Sequence, residues 1–473
     1  MLSTTVLLSL VSMVSAIKTY DTSTYKHFYE PKDSPFSDLD TVFNKSSGTN
    51  GGFYNTSHVA DSKYGAYNFC NMPHVRSTEY PTPNSSYTLE YVELMHRHHK
   101  RTPYLANTLP FEDISLYCDE SSNYYYSGFN AGNDSTLQVA WANYVDPENP
   151  FAYSEQTGYN GTCQLPQISY QGLQDCYQHG KDVAKVYRDL LGFLPAEYDP
   201  ELVQFRVTNN VITSEVLSAV AKAIYPSESK IKAKIQLDAI DSLEPAYTCD
   251  YATDMREWIY ASDEWVEHLT RADSLYSKLD SITGVDPESE GFHMSFDHYF
   301  DNFAFRSCHG YDLPCSIDDP TKCVTQEDAE QVFRLGDFEW SYQYRASKNS
   351  TLYDVSNYGA FLNELKHRLV QKQEGALALR YMHNVGHDGS IGPMLGILQV
   401  DFMRWPGMGA ELSFEMWDKH GDKFLRVLYG GQPLNTTGPL GTIDMIPLGK
   451  FVDYVEDLIG KDGSVVYDMC NSV

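Results

Sequence analysis

The sequence predicts an α/β protein: a mixed sheet flanked by helices, with a mainly helical insertion between two parts of the core. Two short apolar segments with the pattern of buried strands, residues 88–95 and 377–383, each lead into a charged motif. Between them lies a long stretch whose apolar residues recur at helical spacing. Because ligands in such sheets bind beyond the carboxyl ends of strands, both motifs lie where a site is expected.

The remaining segments can be placed in chain order around these two strands. Residues 17–86 are rich in small and polar residues without a sustained helical period, which predicts an N-terminal extension wrapped around the core. Residues 87–225 and 357–473 are the predicted parts of the core, and residues 226–356 the helical insertion. Within them we predict helices at 170–191, 214–224, 258–279 and 357–371, and a strand at 203–207.

The first sixteen residues resemble a signal peptide. They carry no charged side chain, include an apolar run at 6–11, and end in Val14-Ser15-Ala16, a small-x-small cleavage pattern. The alternative is a buried N-terminal helix, which the polar residues after Ala16 disfavour. Seven N-x-Ser/Thr acceptors fit a eukaryotic secretory route: Asn44, Asn55, Asn84, Asn133, Asn160, Asn349 and Asn435. We therefore expect a secreted glycoprotein, extracellular or in the cell wall or periplasmic space of a eukaryote.

The charge balance excludes some partners. Sixty-four acidic residues against 35 Lys and Arg leave a formal charge of −29, which argues against general nucleic-acid binding. No segment beyond the N-terminus is long and apolar enough to span a bilayer. The same negative field would repel an anionic substrate, so a site for such a substrate must concentrate positive charge at one place.

Nine cysteines in an exported chain predict up to four disulfides and one odd thiol. Cys163 could pair locally with Cys176, and Cys249 could reach Cys470. Two members of the cluster Cys308, Cys315 and Cys323 are expected to pair. A zinc site in this cluster is the weaker interpretation, because no second cysteine pair stands at ligand spacing.

The segment Arg97-His98-His99-Lys100-Arg101-Thr102-Pro103 concentrates positive charge directly after a predicted strand. A solvated basic patch would not explain that position, nor the proline that restricts the turn. An Arg guanidinium can bind two phosphate oxygens at once, and two arginines, Arg97 and Arg101, flank His98 in the sequence. The pattern predicts an anion held against an imidazole.

This segment resembles the R-H-G-x-R-x-P signature of the histidine acid phosphatases, a family that includes phytases. Arg97, His98, Arg101 and Pro103 match four of the five constrained positions. Further similarities follow in order along residues 90–390: Ile168-Ser169-x-x-Gly172 with Gly180 and Tyr187, the segment 205–208, and Gly386-His387-Asp388. The resemblance implies a phosphoglycerate-mutase-like core with an inserted cap.

The resemblance also implies roles for individual residues. His98 would attack phosphorus, Asp388 would protonate the leaving oxygen, and the phosphoryl group would be bound by Arg97, Arg101, Arg206 and His387. The chemistry is consistent, since a phosphohistidine intermediate divides hydrolysis into two easier steps and fixed cations stabilise the equatorial oxygens. No metal or other cofactor is required, and the expected partner is a small phosphomonoester. The other histidines, His96, His99, His179, His309 and His383, are expected to be structural.

Two positions depart from the family pattern. His99 stands where the family has glycine, so a side chain must fit beside the nucleophile; it could narrow the pocket, add a cation or impair turnover. Ile212 stands where many relatives carry another Arg, which more plausibly alters the support around the site than removes a phosphate ligand.

Three functions stay open at this stage. The leading prediction is a secreted acid phosphatase for phosphomonoesters. A phytase would need further cations from the insertion, and Lys230, Lys232 and Lys234 are candidates, although their alternation also fits a solvated face. A non-catalytic surface glycoprotein that retained the fold is the third. Oligomeric state and physiological substrate are not determined by these patterns.

Overall fold

The computed structural model describes residues 27–121, 123–124, 139–144, 146, 148–150, 159–228 and 230–471. The predicted signal segment and the acceptor Asn133 lie outside these residues. Of the other acceptors, Asn349 is half-buried and the rest are exposed, as glycosylation requires: Asn44, Asn55, Asn84, Asn160 and Asn435.

A mixed sheet forms the centre of the molecule. Its strands are β1 (Thr88–Arg97), β6 (Val203–Val207), β7 (Ala233–Lys234), β8 (Tyr381–Gly386), β9 (Glu411–Lys419), β10 (Asp422–Tyr429), β11 (Gln432–Pro433) and β12 (Ile446–Pro447). They lie in the order β11-β10-β9-β1-β8-β6-β7, with β12 beside β10. Strands β1, β8, β6 and β7 run parallel, and β9 is antiparallel to β1. Two small ribbons pair β2 (Ser115–Leu116) with β5 (Asn160–Gly161), and β3 (Asn123–Tyr124) with β4 (Ala140–Trp141).

Helices cover both faces of the sheet and form the insertion. They are α1 (Leu39–Phe43), α2 (Tyr170–Ala184), α3 (Val211–Ile224), α4 (Asp250–Tyr260), α5 (Asp263–Arg271), α6 (Asp273–Thr283), α7 (Glu290–His293), α8 (Asp297–His309), α9 (Gln326–Ser341), α10 (Ser350–Gln373), α11 (Asp388–Ile397), α12 (Leu448–Ile459) and α13 (Ser464–Asn471). The predicted fold class is confirmed, because the run α4–α9 lies between β7 and β8.

Alternating side chains of the central strand separate two apolar layers. Tyr91 and Met95 pack with α10, α11 and α12, whereas Val92 and Leu94 pack with α2 and α3. Gly172 allows α2 to begin against the loop after β1, since a Cβ there would lie 2.1 Å from the carbonyl oxygen of Lys100. The packing therefore holds that loop at the carboxyl edge of the sheet.

Several predicted boundaries differ from the structure for local reasons. The predicted helix 258–279 is divided among α4, α5 and α6, and the Ser262 hydroxyl accepts from the N–H of Trp265 where α5 begins. Helix α10 begins at Ser350, inside the predicted insertion and before the predicted start at 357. The prediction missed its first two turns because buried polar residues such as Ser350 and Asp354 obscure the apolar period there. The domain boundaries at 226 and 356 stay a prediction.

The structure contains four disulfides: Cys70–Cys308, Cys118–Cys163, Cys249–Cys470 and Cys315–Cys323. The expected number is confirmed, and so are the Cys249–Cys470 pair and a pair within the cluster. The local pairing of Cys163 with Cys176 is wrong, because Cys176 lies buried on α2 as a free thiol. Within the described ranges, no helix has the length and apolarity needed to cross a membrane.

Candidate active site

The loop after β1 holds His98 by its backbone. The His98 N–H donates to the carbonyl of Gly386 at 2.9 Å, and the N–H of Gly409 donates to the carbonyl of His98 at 3.1 Å. These bonds tie the loop to the ends of β8 and β9, the neighbours of β1. The His98 side chain is buried at this edge, where the sequence predicted a site.

A further hydrogen bond determines which nitrogen of His98 is available. Nδ1 lies 3.0 Å from the carbonyl oxygen of His99, which can only accept, so Nδ1 carries the proton. Burial and the charges of Arg101, Arg97 and His387 hold the pKa of His98 well below its usual value. The imidazole is therefore neutral, with the Nε2 lone pair available.

Arg97 is anchored on two sides of its guanidinium. Nη2 lies 2.8 Å from Oδ2 of Asp388, and Nη1 donates to the carbonyl of Pro406 at 2.6 Å. The side chain is almost fully buried. A buried charge requires partners that stabilise it, and Asp388 and Pro406 supply them for Nη2 and Nη1. The Nε atom of Arg97 has no partner among the described residues.

A carboxylate from the helical insertion binds Arg101. Its Nη1 lies 3.0 Å from Oδ2 of Asp301 on α8 and donates to the carbonyl of Thr102, while the guanidinium stacks over the ring of Tyr104. The electrostatic influence of Arg101 reaches both His98 and Asp388, lowering the pKa of each. The insertion thus positions a cation beside the nucleophile.

His387 and Asp388 lie next to His98, where β8 leads into α11. The rings of His387 and His98 have centroids 5.4 Å apart. Asp388 Oδ2 accepts from the Trp405 indole at 2.8 Å, and Oδ1 accepts from the N–H of Gly389. Its side chain retains 22% of its surface exposed, so the carboxylate can reach a ligand.

The family follows from this geometry and from comparison with known sequences. The profile of the histidine phosphatase superfamily (branch 2) matches residues 88–430, which include both motifs. The chain belongs to this superfamily. It is 22% identical to Counting factor 60 of Dictyostelium discoideum over 377 residues, covering 76% of this chain and 84% of the relative. Human 2-phosphoxylose phosphatase 1 is 22% identical over 440 residues, covering 87% and 88%.

Solved phytases share the fold of this histidine phosphatase. The Hafnia alvei phytase in complex with myo-inositol hexakis sulphate superimposes with a TM-score of 0.52 at 14% identity, over 81% of this chain and 99% of the phytase. The Citrobacter braakii phytase gives a TM-score of 0.50 at 13% identity, over 79% and 98%. The likeness places the sheet and the insertion in a known architecture.

Arg206 lies apart from the other predicted phosphate ligands. In the sheet it stands opposite Asn384, whereas Arg97 stands opposite Gly386, so Arg206 lies two residues, about 6.6 Å, behind the carboxyl edge. Its guanidinium bonds Asp241 at 2.9 Å, Glu364 at 2.8 Å and the Ser242 hydroxyl at 3.0 Å. This geometry gives no support to a phosphate contact by Arg206. Its guanidinium instead joins the segment 236–242 to α10 through these contacts.

The two departures from the family pattern lie outside the phosphate pocket. The ring of His99 packs against His96 and His179, and burial and those rings hold its pKa well below the usual value. His99 therefore adds no cation beside His98. Ile212 is buried in the apolar layer between α3 and the sheet.

Sequence reasoning missed several residues around His387. Its Nε2 lies 3.0 Å from the Thr208 hydroxyl and 3.2 Å from Oε2 of Glu244. Thr208 follows β6 and could have been found from its place at the carboxyl edge. Glu244, and Asp301 beside Arg101, carry no local signal, because they reach the site from the segment after β7 and from α8.

Proposed function

We propose that this histidine phosphatase hydrolyses phosphomonoesters through a phosphohistidine on His98. The observation that carries the proposal is the buried His98 imidazole, whose Nδ1 is bound to a carbonyl, in a pocket that also contains Arg97, Arg101, His387 and Asp388. Phosphoryl oxygens would be bound by Arg97, Arg101 and His387, while His98 Nε2 faces phosphorus. Four disulfides and exposed glycosylation acceptors support passage through a secretory route.

The reaction balances in two steps. In the first, His98 Nε2 forms a bond to phosphorus, the bond from phosphorus to the ester oxygen breaks, and that oxygen takes the proton of Asp388. In the second, water attacks phosphorus, gives a proton to the Asp388 carboxylate, and the P–N bond breaks to release phosphate. Asp388 thus begins and ends the cycle protonated.

The function is tested by p-nitrophenyl phosphate hydrolysis with the purified full chain at acidic pH. The wild type should release p-nitrophenol and phosphate in equal amounts, and His98→Ala should not. Equal background rates from the two proteins would support the non-catalytic glycoprotein instead.

Activity should peak below about pH 6, because Asp388 must carry a proton when the ester bond breaks. Burial raises the pKa of Asp388, but the combined lowering by Arg97, the Trp405 hydrogen bond and Arg101 is larger than this increase. The net pKa of Asp388 therefore lies below the usual value. The protonated fraction therefore falls as pH rises. A bound phosphoryl group offsets the charge of Arg97 and Arg101, which raises the Asp388 pKa in the complex. The falling limb of kcat should lie at higher pH than that of kcat/KM.

The control for this pH profile is Asp388→Asn. With an alkyl phosphate, whose leaving oxygen needs the proton, the residual activity of this variant measured from about pH 3 to pH 7 should lack the falling limb, because no proton donor titrates. A limb that persists unchanged in this variant, or a wild-type optimum above neutrality, would contradict the role of Asp388.

The surroundings of the site favour monoesters of uncharged alcohols, such as sugar phosphates, over polyphosphorylated rings. The basic side chains of the pocket already contact carboxylates: Arg97 contacts Asp388, Arg101 contacts Asp301 and His387 contacts Glu244. The candidate phytase cation Lys234 lies on the edge strand β7, where it donates to Gln204. The relative named 2-phosphoxylose phosphatase 1 is consistent with a sugar phosphate.

Glu244 is the residue we expect to discriminate most against a polyanion. Its side chain is 43% exposed and carries charge at the edge of the pocket. Burial would raise its pKa, but its hydrogen bond to His387 and the charge of His387 outweigh burial, so the net pKa lies below the usual value. A carboxylate here can accept from a sugar hydroxyl and repels additional phosphates.

Glu244→Gln should raise the ratio of kcat/KM for phytate to that for a sugar phosphate by about threefold to tenfold at low salt, since one nearby negative charge is removed. The ratio should return toward the wild-type value as salt screens the interaction. The matched control is Glu374→Gln, which removes an exposed carboxylate at the end of α10. An unchanged ratio in Glu244→Gln, or the same increase in the control, would remove this basis for substrate choice.

A further inference from the structure

A group of buried histidines lies beneath the catalytic loop, in the layer between the sheet and α2. His96 ends β1, His99 follows it in the loop, and His179 faces them from α2. Each exposes 1% of its surface or less, and the neighbouring Glu411 on β9 is fully buried. The phosphatase mechanism uses none of these side chains. Buried titratable groups packed this closely, with His383 beside His96 and His74 stacked on His179, require a physical reason.

The three imidazoles converge closely enough to share one ion. One ring nitrogen from each lies within 4.8 Å of those of the other two. The pair His99 Nε2 and His179 Nδ1 is 3.2 Å apart. With zinc-to-nitrogen distances of about 2.0–2.1 Å, two tetrahedral ligand nitrogens stand about 3.3 Å apart, close to this separation.

Outer hydrogen bonds orient two of the rings as in a metal centre. His179 Nε2 lies 2.8 Å from Oε2 of Glu411, which favours a proton on Nε2 and leaves Nδ1 as the lone pair toward His99. His96 Nδ1 donates to the carbonyl of Arg97 at 2.9 Å, which leaves Nε2 as its lone pair. Carboxylate and carbonyl acceptors of this kind usually support metal-bound histidines.

The third ring, His99, directs one nitrogen toward the other two rings. Its Nε2 lies 3.2 Å from His179 Nδ1, and its buried Nδ1 has no partner among the described residues. His383 Nε2 lies 2.9 Å from His96 Nε2, so His96 can bind an ion through Nε2 only when the His383 proton is on Nδ1, toward the Tyr381 hydroxyl.

We propose that His96, His99 and His179 bind a structural Zn²⁺ ion, with Glu411 orienting His179. Three imidazoles suit this borderline-soft cation. The site lies outside the phosphate pocket, so the ion takes no part in phosphoryl transfer. Its effect is positional, because the carbonyl of His99 accepts the Nδ1 proton of His98 and so fixes the nucleophile's tautomer.

The test is the zinc content of the secreted full chain, purified without a histidine tag after expression in zinc-supplemented medium and dialysed against a chelator-free buffer. Elemental analysis should find about one zinc per chain. His179→Gln and His99→Gly should lower this at least tenfold, whereas His367→Gln, which removes an exposed histidine on α10, should not. Cobalt-grown protein should show the visible absorption of tetrahedral Co²⁺.

Folded wild-type protein with no more zinc than His179→Gln, after prolonged incubation with excess Zn²⁺, would overturn the proposal. Zinc lost equally from His367→Gln would show binding elsewhere and overturn it as well. If a variant fails to fold, the wild-type stoichiometry and the cobalt spectrum decide alone. Metal content is measured without substrate, so the result is independent of the proposed phosphatase activity.

Discussion

His98→Ala should lower kcat for p-nitrophenyl phosphate by at least about 10⁴-fold, because it removes the atom that bonds to phosphorus. The rest of the pocket would be unchanged: Arg97 keeps its bonds to Asp388 and Pro406, and Arg101 its ion pair with Asp301. Affinity for inorganic phosphate should therefore change by less than about tenfold. The loss belongs to the chemical step and not to binding.

A quench experiment distinguishes loss of the nucleophile from loss of structure. Wild-type protein mixed briefly with a radiolabelled phosphomonoester and quenched in alkali should retain label, because phosphohistidine is stable to alkali and labile to acid. His98→Ala should retain none, while its phosphate affinity and unfolding temperature stay near those of the wild type. Covalent label on His98→Ala, or turnover within tenfold of wild type, would remove His98 from the role of nucleophile.

Asp388→Asn should have an effect that depends on the leaving group. For an alkyl phosphate, whose alkoxide must be protonated as it departs, kcat should fall by about 10³-fold. For p-nitrophenyl phosphate the leaving oxygen is stable as an anion, so phosphorylation should slow far less. Breakdown of the phosphohistidine, which uses the same carboxylate as a base, then becomes limiting and should produce a burst of p-nitrophenol.

The ion pair with Arg97 gives a second readout for this variant. Asp388 Oδ2 lies 2.8 Å from Arg97 Nη2, so a bound phosphoryl group competes with the carboxylate for that guanidinium. Removing the charge should leave the affinity for inorganic phosphate unchanged or increased. Equal losses on both substrates, without a burst, would indicate a structural defect and contradict the acid and base role. Trp405→Phe removes the indole hydrogen bond that lowers the Asp388 pKa, so it should instead move the falling limb of the pH profile to higher pH.

Part of the site could be predicted because its signals are local. The alternation that places Val92 and Leu94 on one face of β1 also placed the Arg97–His98 motif at the end of that strand, and β8 carried His387 and Asp388 to the same edge. Parallel neighbours align their carboxyl ends, so residues almost three hundred positions apart in the chain meet there. The family resemblance, which is confirmed, depends on these same residues.

Other features depend on register and on contacts between distant segments. Arg206 carries the same charge as Arg97 and Arg101, yet it lies two residues behind the carboxyl edge of the sheet, and its guanidinium binds Asp241 and Glu364. The spacing of the cysteines in the sequence likewise did not predict that Cys163 pairs with Cys118 and not with Cys176. Acceptors that reach the pocket from the insertion, Glu244 and Asp301, have no pattern of their own.

The sequence by itself determined the fold class, the strand ends that carry the chemistry, and the family. These depend on periodicity and on short motifs, which a chain expresses within a few residues. Only the tertiary structure decided which charges surround His98 and which are used elsewhere, and that His96, His99 and His179 meet beneath it. The physical reason is that the direction and depth of a side chain are set by strand register and by packing against elements far away in sequence.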